Sequence, residues 1–349
     1  MSDVVFSSSV LKLIGARCPA GLDYWLGSSA SNDPRQLDLQ DHADIVYSLY
    51  LVGKPDMIDR RSAERFIDML KHAPLHGRPL HSPERQPPPS AHLTAYALGA
   101  ARLLHVTGHV DDLSELAHGW DIGRLVDERM LPIWPRKWTH HIWRVSHWIG
   151  GIPSILLQLA HYGHGEIDET FVGTVLSACE RHIVDADSGL LRPYRSRSLQ
   201  AAFRTLYRLR HDPDLGDLGG VVHLLWIHHA MDRPYVGADA LNSSAWLQMQ
   251  RSPFIEAMPY CLDFDIVQLV RTTLGAADTG DDPVVARSLR FAGDVLDFLK
   301  GEVPDSYSLH KLPGALATMH ECALIAGRRE TLVDTDIAPV DIIKSAFWI

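Results

Sequence analysis

Six pairs of helical segments follow one another along the chain, and this repetition limits the folds that it can adopt. The first segment of each pair is apolar on nearly all sides, as in TAYALGAARLL, which is typical of a buried helix. The second segment is amphipathic, and strand patterns with sustained alternation are almost absent. The sequence therefore predicts an all-α fold in which inner and outer helices alternate. The pairs are predicted at 41–53 with 61–73, 91–108 with 113–130, 146–163 with 167–185, 218–232 with 236–250, 263–277 with 284–300, and 312–327 with 336–347.

The apolar character of the first segments bears on how the pairs assemble. Helix pairs can stack into an open solenoid, in which amphipathic first helices line a concave surface. Helices that are apolar on most sides instead need neighbours all round, which favours closure. We therefore expect an (α/α)6 toroid, a closed barrel of six inner and six outer helices. It would form a single domain over residues 1–349, with a basic insert at about 190–214.

Short glycine-containing motifs recur where the inner helices are predicted to start. They read GGIPSIL, GGVVHLL and PGALATM, and a D-x-x-x-G-L-L segment spans 185–191. This layout resembles the six-hairpin superfamily of glycosidases, polysaccharide lyases and sugar epimerases, and it is also similar in outline to the toroids of isoprenoid cyclases. The resemblance covers most of the chain. It implies the toroid fold and an enzyme of one of these classes.

The composition argues against several partners and locations. The net charge of −10 argues against a general nucleic-acid binder, since a surface that follows phosphates normally carries a basic surplus. No run approaches the roughly 18 consecutive apolar residues of a membrane-spanning helix, and the first residues lack the pattern of a secretory signal. The expected location is therefore cytoplasmic, with no membrane partner. The oligomeric state is left open.

Spacing of the potential metal ligands gives no cofactor signature. The four cysteines lie far apart without a C-x-x-C pair, which predicts reduced thiols and no disulfide framework or zinc site. No P-loop and no dinucleotide-binding glycine motif is present. We therefore expect neither a metal nor a cofactor.

Histidines and acids gather at the predicted starts of the inner helices. In a closed toroid these helices run parallel, so their N-terminal ends meet on one face, where backbone N–H groups favour anions. Any one of these residues could equally be a structural histidine or a helix cap. Together they predict one shared pocket for an anionic small molecule or oligosaccharide. The residues are Asp41 and His42, His92 and Tyr96, Arg144 and His147, His223, Asp263 and Asp265, and His310.

A tryptophan-rich block, WPRKWTHHIWRVSHW, precedes the third inner helix. Trp143 and Trp148 could stack on a sugar ring or on a prenyl chain, and they could equally pack between helices. Arg144 could neutralise a uronate carboxylate while His141 or His147 abstracts a proton. The block thus supplies candidates for both substrate binding and the catalytic base.

Asp263 and Asp265 are candidates for the catalytic acid. They lie in the apolar segment PYCLDFDIVQL, where burial can raise the pKa of a carboxyl enough for it to act as a general acid. Residues two apart on a helix diverge by about 200°, so only one of the two can face a cavity. The alternative interpretation is a helix cap plus a buried ion pair.

An arginine-rich stretch lies within 190–214. Its six arginines, among them Arg195 and Arg197, reverse the local sign of charge in an acidic chain. They could form a basic lid that attracts anionic ligands, or a solvated face that pairs with acidic outer helices.

Three functions compete on these observations. The leading hypothesis is a carbohydrate-active enzyme of lyase or glycoside hydrolase type, which acts on a uronate-containing glycan by acid/base chemistry. In it, Arg144, Trp143, Trp148, His92, Tyr96, His223, His310, Arg195 and Arg197 bind substrate. The second is an isoprenoid cyclase in which an aspartate protonates an alkene, although Ile266 stands where a D-x-D-D run would need an acid. The third is a non-catalytic helical scaffold.

Overall fold

Helices make up nearly all of the regular structure in the described part of the chain. The computed structural model describes residues 2–28, 33–78, 90–126, 149–191, 198, 202, 205–206, 213–274, 283–328, 330–333, 335 and 337–349. Among these residues the β-structure is one antiparallel bridge between Val184 and Leu191. The α-helices are α1 Ser2–Arg17, α2 Pro19–Trp25, α3 Leu39–Leu51, α4 Arg60–His72, α5 Ala91–Val106, α6 Ile122–Val126, α7 Gly151–His161, α8 Glu169–Ile183, α9 Pro213–Ala230, α10 Ala238–Met249, α11 Cys261–Thr273, α12 Pro283–Lys300, α13 Leu312–Ile325 and α14 Ile342–Ala346.

Six largely buried helices form the core. Helix α3 packs against α5, α5 against α7, α7 against α9, α9 against α11, α11 against α13, and α13 against α3. Burial follows from their all-round apolar sequences: in α13 every residue except Leu324 is buried. The prediction of an all-α fold is confirmed. Within the described ranges, no helix has both the length and the apolar character needed to cross a bilayer.

The amphipathic helices cover this core from outside. Helix α8 packs on α7, α10 on α9 and α11, and α12 on both α13 and α1. In α12 the buried positions include Ser288, Phe291, Val295 and Leu299, which recur at helical spacing, while Asp297 is exposed. The predicted alternation of buried and amphipathic segments therefore describes most of the chain.

Two glycines beside the candidate site allow neighbouring inner helices to approach closely. A Cβ at Gly314, in the first turn of α13, would lie 2.4 Å from the backbone nitrogen of Cys261 at the start of α11. A Cβ at Gly150, just before α7, would lie 2.4 Å from the carbonyl oxygen of His223. Both positions exclude any larger residue unless the backbones separate. The glycine motifs noted in the sequence therefore set the spacing of the core helices beside the candidate site.

The second outer helix is not formed as expected. The sequence predicts one helix over 113–130, whereas the structure has a 3-10 turn at Ser114–Ala117 and the short α6 at Ile122–Val126. Gly119 lies between them with a φ of +77°, in the left-handed region that ends a helix. Residues 127–130 lie outside the described residues.

The prediction of a last outer helix over 336–347 is wrong in the length of the helix and in its outer location. Within the described part of this range only Ile342–Ala346 is helical, because Asp341 caps its first turn and Phe347 leaves it with a φ of +61°. Helix α14 packs against the core helices α5 and α9. The residues that follow are buried, with Trp348 fully enclosed. The segment 341–349 is therefore part of the interior.

Candidate functional site

A buried carboxyl, a tyrosine and a histidine meet at the centre of the candidate site. Asp44 lies in the second turn of α3 and is fully buried. Its Oδ1 accepts a hydrogen bond of 2.8 Å from the hydroxyl of Tyr96 on α5 and one of 2.9 Å from Nδ1 of His310, which lies just before α13. When Asp44 is ionised it can only accept, and the proton of this contact then lies on Nδ1 of His310. Three core helices thus place one acid–histidine pair.

Aromatic rings surround this pair. The ring of His92 lies 6.4 Å from that of His310 and 6.4 Å from that of His223, measured between centroids. Trp348 stacks on His223 at 5.2 Å and donates its indole N–H to Nδ1 of His92 over 3.0 Å. The structure therefore brings together His92, Tyr96, His223 and His310, four residues that the sequence proposed for one pocket.

Burial and charge act in opposite directions on the acid–histidine pair. Burial raises the pKa of Asp44, and the hydrogen bonds from His310 and Tyr96 oppose that rise. Burial alone would lower the pKa of His310, but the hydrogen bond and the charge of Asp44 outweigh it and raise that pKa. The His310 side chain keeps 37% of its surface exposed. The imidazole can therefore exchange protons with a ligand while Asp44 stabilises its charged form.

His223 reaches this site from an unexpected position on its helix. The sequence places it at the start of an inner helix, but α9 begins ten residues earlier, at Pro213. The double glycine at 219–220, which in the sequence resembles the start of an inner helix, lies inside α9. His223 is buried and packs on Trp226 at 4.6 Å and on Trp348. It therefore forms part of the wall of the site.

Asp263 has the contacts of a helix cap. It is fully buried in the first turn of α11, and its two oxygens accept hydrogen bonds from the backbone N–H groups of Ile255, at 2.8 Å, and Tyr260, at 2.9 Å. Burial raises the pKa of Asp263 to about 7, and these two N–H groups oppose the rise. Both oxygens are used by the backbone of the protein itself, as expected for a cap.

Asp265 differs sharply from its neighbour. It is 1% exposed, and neither of its oxygens has a hydrogen-bond partner among the described residues. Burial, followed by the charge of Asp263, raises the pKa of Asp265 well above its ordinary value. Gln268, one turn further along α11, is also buried with both amide atoms unpartnered in this part of the structure. Asp265 and Gln268 are therefore two buried polar side chains of a core helix that lack hydrogen-bond partners among the described residues.

Two further predicted residues belong to the core. His42 on α3 is fully buried among aromatic rings, and its Nε2 contacts the carbonyl oxygen of Pro34 at 2.8 Å. Burial lowers its pKa to about 4, so it is neutral at physiological pH. Asp41 lies in the first turn of the same helix and is partly exposed. Among the described residues, no hydrogen bond joins Asp41 or His42 to the Asp44–His310 pair.

Several predicted site residues lie outside the described residues. They are His141, His147, Arg144, Trp143, Trp148, Arg195 and Arg197. The predictions of a carboxylate clamp, a stacking platform and a basic lid therefore stay predictions.

Sequence reasoning missed Asp44 and Trp348. The signal for Asp44 is present, since one acid within the apolar run ADIVYSLYLV would be costly to bury without a partner. Trp348 gives no such signal, because it lies just after the predicted outer helix 336–347. Within the described residues, no group of three or more histidine, cysteine or acidic side chains is arranged to hold a metal ion.

Comparison with known proteins gives no match at the level of family, sequence or fold. No protein-family model, no curated protein and no solved structure matches the chain. The chemistry of the site therefore has to be inferred from its own residues.

Proposed function

We propose that the chain is a carbohydrate-active enzyme of lyase type, built as an (α/α)6 toroid, that acts on a uronate-containing glycan. The observation that carries this proposal is the buried Asp44–His310 pair with Tyr96 at the N-terminal ends of core helices. The toroid is supported by the order of helix contacts, which runs from α3 through the six core helices and returns from α13 to α3.

In this proposal His310 moves the proton. With Nδ1 donating to Asp44, the neutral ring offers the lone pair of Nε2 as a base. A lyase removes the proton from the carbon beside a uronate carboxylate, and the imidazolium that forms is stabilised by the carboxylate of Asp44. A carbon–carbon double bond then forms as the glycosidic C–O bond breaks, and the imidazolium returns the proton to the leaving oxygen. Tyr96 holds the same oxygen of Asp44 and so fixes the orientation of the pair.

The carboxyl groups favour a lyase over a glycoside hydrolase. Hydrolases of the common type place two carboxyl groups on either side of the scissile bond. Here Asp44, Asp263 and Asp265 are each at most 1% exposed, and Asp263 is used as a cap. The His310 side chain keeps 37% of its surface exposed, which suits proton abstraction.

Asp265 supports a second candidate, an isoprenoid cyclase. Such an enzyme needs a carboxylic acid that stays protonated at neutral pH and can protonate an alkene. The raised pKa of the unpartnered Asp265 carboxyl fits that role. Aromatic rings nearby on core helices include Phe264 and Trp226, 5.6 Å apart.

The test is cleavage of a panel of polyuronates, followed by the absorbance of the unsaturated product. His310→Gln should lower kcat by about 10² to 10⁴-fold, and Asp44→Asn should lower it without loss of folding. Since the pKa of His310 is raised, kcat/KM should increase with pH through a pKa above the ordinary 6.5.

His118→Gln is the matched control, because His118 is exposed and remote from the cluster in sequence. Unchanged turnover in His310→Gln would refute the proposed base. If no polyuronate is cleaved, but a prenyl diphosphate is cyclised in a reaction that Asp265→Asn abolishes, the cyclase replaces the lyase.

A further inference from the structure

The hydrogen bond between Trp348 and His92 fixes the position of a proton. The indole N–H of Trp348 donates to Nδ1 of His92 over 3.0 Å. An indole nitrogen can only donate, so Nδ1 of His92 must be the unprotonated nitrogen of its ring. The neutral imidazole then carries its proton on Nε2.

Contacts of its backbone and of its ring hold Trp348 in the position from which its indole N–H donates to His92. Its carbonyl oxygen accepts a 2.7 Å hydrogen bond from the hydroxyl of Tyr47, and its ring stacks on that of His223. The two preceding carbonyl groups accept hydrogen bonds from Ser154, at 3.0 Å, and Gln158, at 2.8 Å, both on α7. Side chains from two core helices therefore hold the backbone of the segment 346–348, and stacking on His223 holds the indole ring.

His310 has the opposite arrangement. Its Nδ1 faces the carboxylate of Asp44 and carries a proton, which leaves Nε2 as the basic nitrogen of the neutral ring. The rings of His92 and His310 are only 6.4 Å apart between centroids. Two histidines in one cluster thus have opposite tautomers, because one faces an obligate donor and the other an obligate acceptor.

We infer that Trp348 is a positioning residue, which keeps His92 as the neutral Nε2–H tautomer so that it serves as a hydrogen-bond donor to the substrate. The site would then contain one base, His310, and one neutral donor, His92. This inference rests on the proposed lyase function, in which negative charge develops on the substrate carboxylate after proton loss. A neutral N–H donor stabilises such charge without competing for the abstracted proton.

The tautomer can be measured directly by NMR on protein labelled with ¹⁵N-histidine, with His92 assigned by comparison with His92→Gln. We expect Nδ1 of His92 to resonate as an unprotonated acceptor and Nε2 as a protonated nitrogen. In Trp348→Phe, which keeps an aromatic ring but removes the N–H, the His92 ring should populate both tautomers.

Trp226→Phe is the matched control. Trp226 is equally buried and lies 5.0 Å from Trp348, but its indole nitrogen has no hydrogen-bond partner among the described residues. Its substitution should leave the His92 signals unchanged. Kinetically, Trp348→Phe should lower kcat about tenfold to a hundredfold with little change in KM.

The outcomes separate the two claims. A wild-type spectrum with the proton on Nδ1 of His92 overturns the inference, even if Trp348→Phe does not fold. An unchanged tautomer in Trp348→Phe also overturns it, and the loss of activity in His310→Gln would still support the proposed function. The expected tautomers in a protein that cleaves no polyuronate would support the positioning role and reject the lyase.

Discussion

Replacing Asp265 by Asn should stabilise the protein, and more so as the pH rises. The carboxyl is 1% exposed and none of the described residues donates a hydrogen bond to it, so its charged form has no compensation. An amide of nearly the same shape removes the ionisable group and keeps the volume. A buried acid retained at such a cost to stability is typical of a functional position.

The magnitude follows from proton linkage. Below pH 4 the carboxyl is neutral in both the folded and the unfolded chain, and the substitution should have little effect. Above that pH the unfolded chain releases the proton, while the folded chain keeps it because the pKa of Asp265 is raised. The free energy of unfolding of the wild type therefore falls by about 1.4 kcal/mol per pH unit from this group, until the pH passes the pKa in the folded state.

Urea denaturation at pH 5, 6 and 7 measures this difference. The advantage of Asp265→Asn over the wild type should grow with pH, by at most about 1.4 kcal/mol for each unit, until the pH passes the pKa of Asp265 in the folded state. A constant difference across this range, or a loss of stability, would refute the claim that the carboxyl is buried and uncompensated.

Glu321→Gln is the matched control for Asp265→Asn. Glu321 is equally buried, but Arg271 on α11 donates to both of its oxygens. Asp341 also accepts from Arg271, at 2.8 Å. Removing the charge of Glu321 leaves Asp341 as the carboxylate partner of Arg271, so this variant should lose about 1 to 3 kcal/mol of stability. The same chemical change should therefore have opposite signs at the two sites.

Two further predictions concern the helix starts beside the candidate site. Gly314→Ala should destabilise by about 1 to 3 kcal/mol, since its Cβ would lie 2.4 Å from the backbone nitrogen of Cys261 and would force α11 and α13 apart. The control Gly293→Ala, in open space on α12, should stabilise by about 0.5 to 1 kcal/mol. Thermal denaturation that ranks the two variants the other way would contradict this packing. Asp263→Asn should cost about 1 to 3 kcal/mol in urea denaturation, because the amide has one acceptor oxygen for two backbone N–H groups, and an unchanged midpoint would contradict the cap.

Part of the candidate site could be anticipated from the sequence. Polar residues at the starts of apolar helices stand out from the apolar pattern of those helices, and this distinguishes His92, Tyr96 and His310 in the sequence. The role of Asp263 as a cap was also open to sequence reasoning, since acids in a first turn commonly accept backbone hydrogen bonds. The position of His223 was not predicted correctly, because a double glycine inside α9 resembles a helix start.

The sequence by itself determines where most of the helices form and that the six core helices are buried. Both properties depend on residues three or four apart and on side chains that cap the nearest turn, as Asp38 and Ser90 do for α3 and α5. The pairing of side chains within the site was decided only by the tertiary structure. Asp44 and His310 are 266 positions apart, and His92 and Trp348 are 256 apart. Apolar periodicity indicates that a helix is buried, but it does not fix the rotation or the register at which two buried helices pack. The rotation and the register decide which acid faces which histidine.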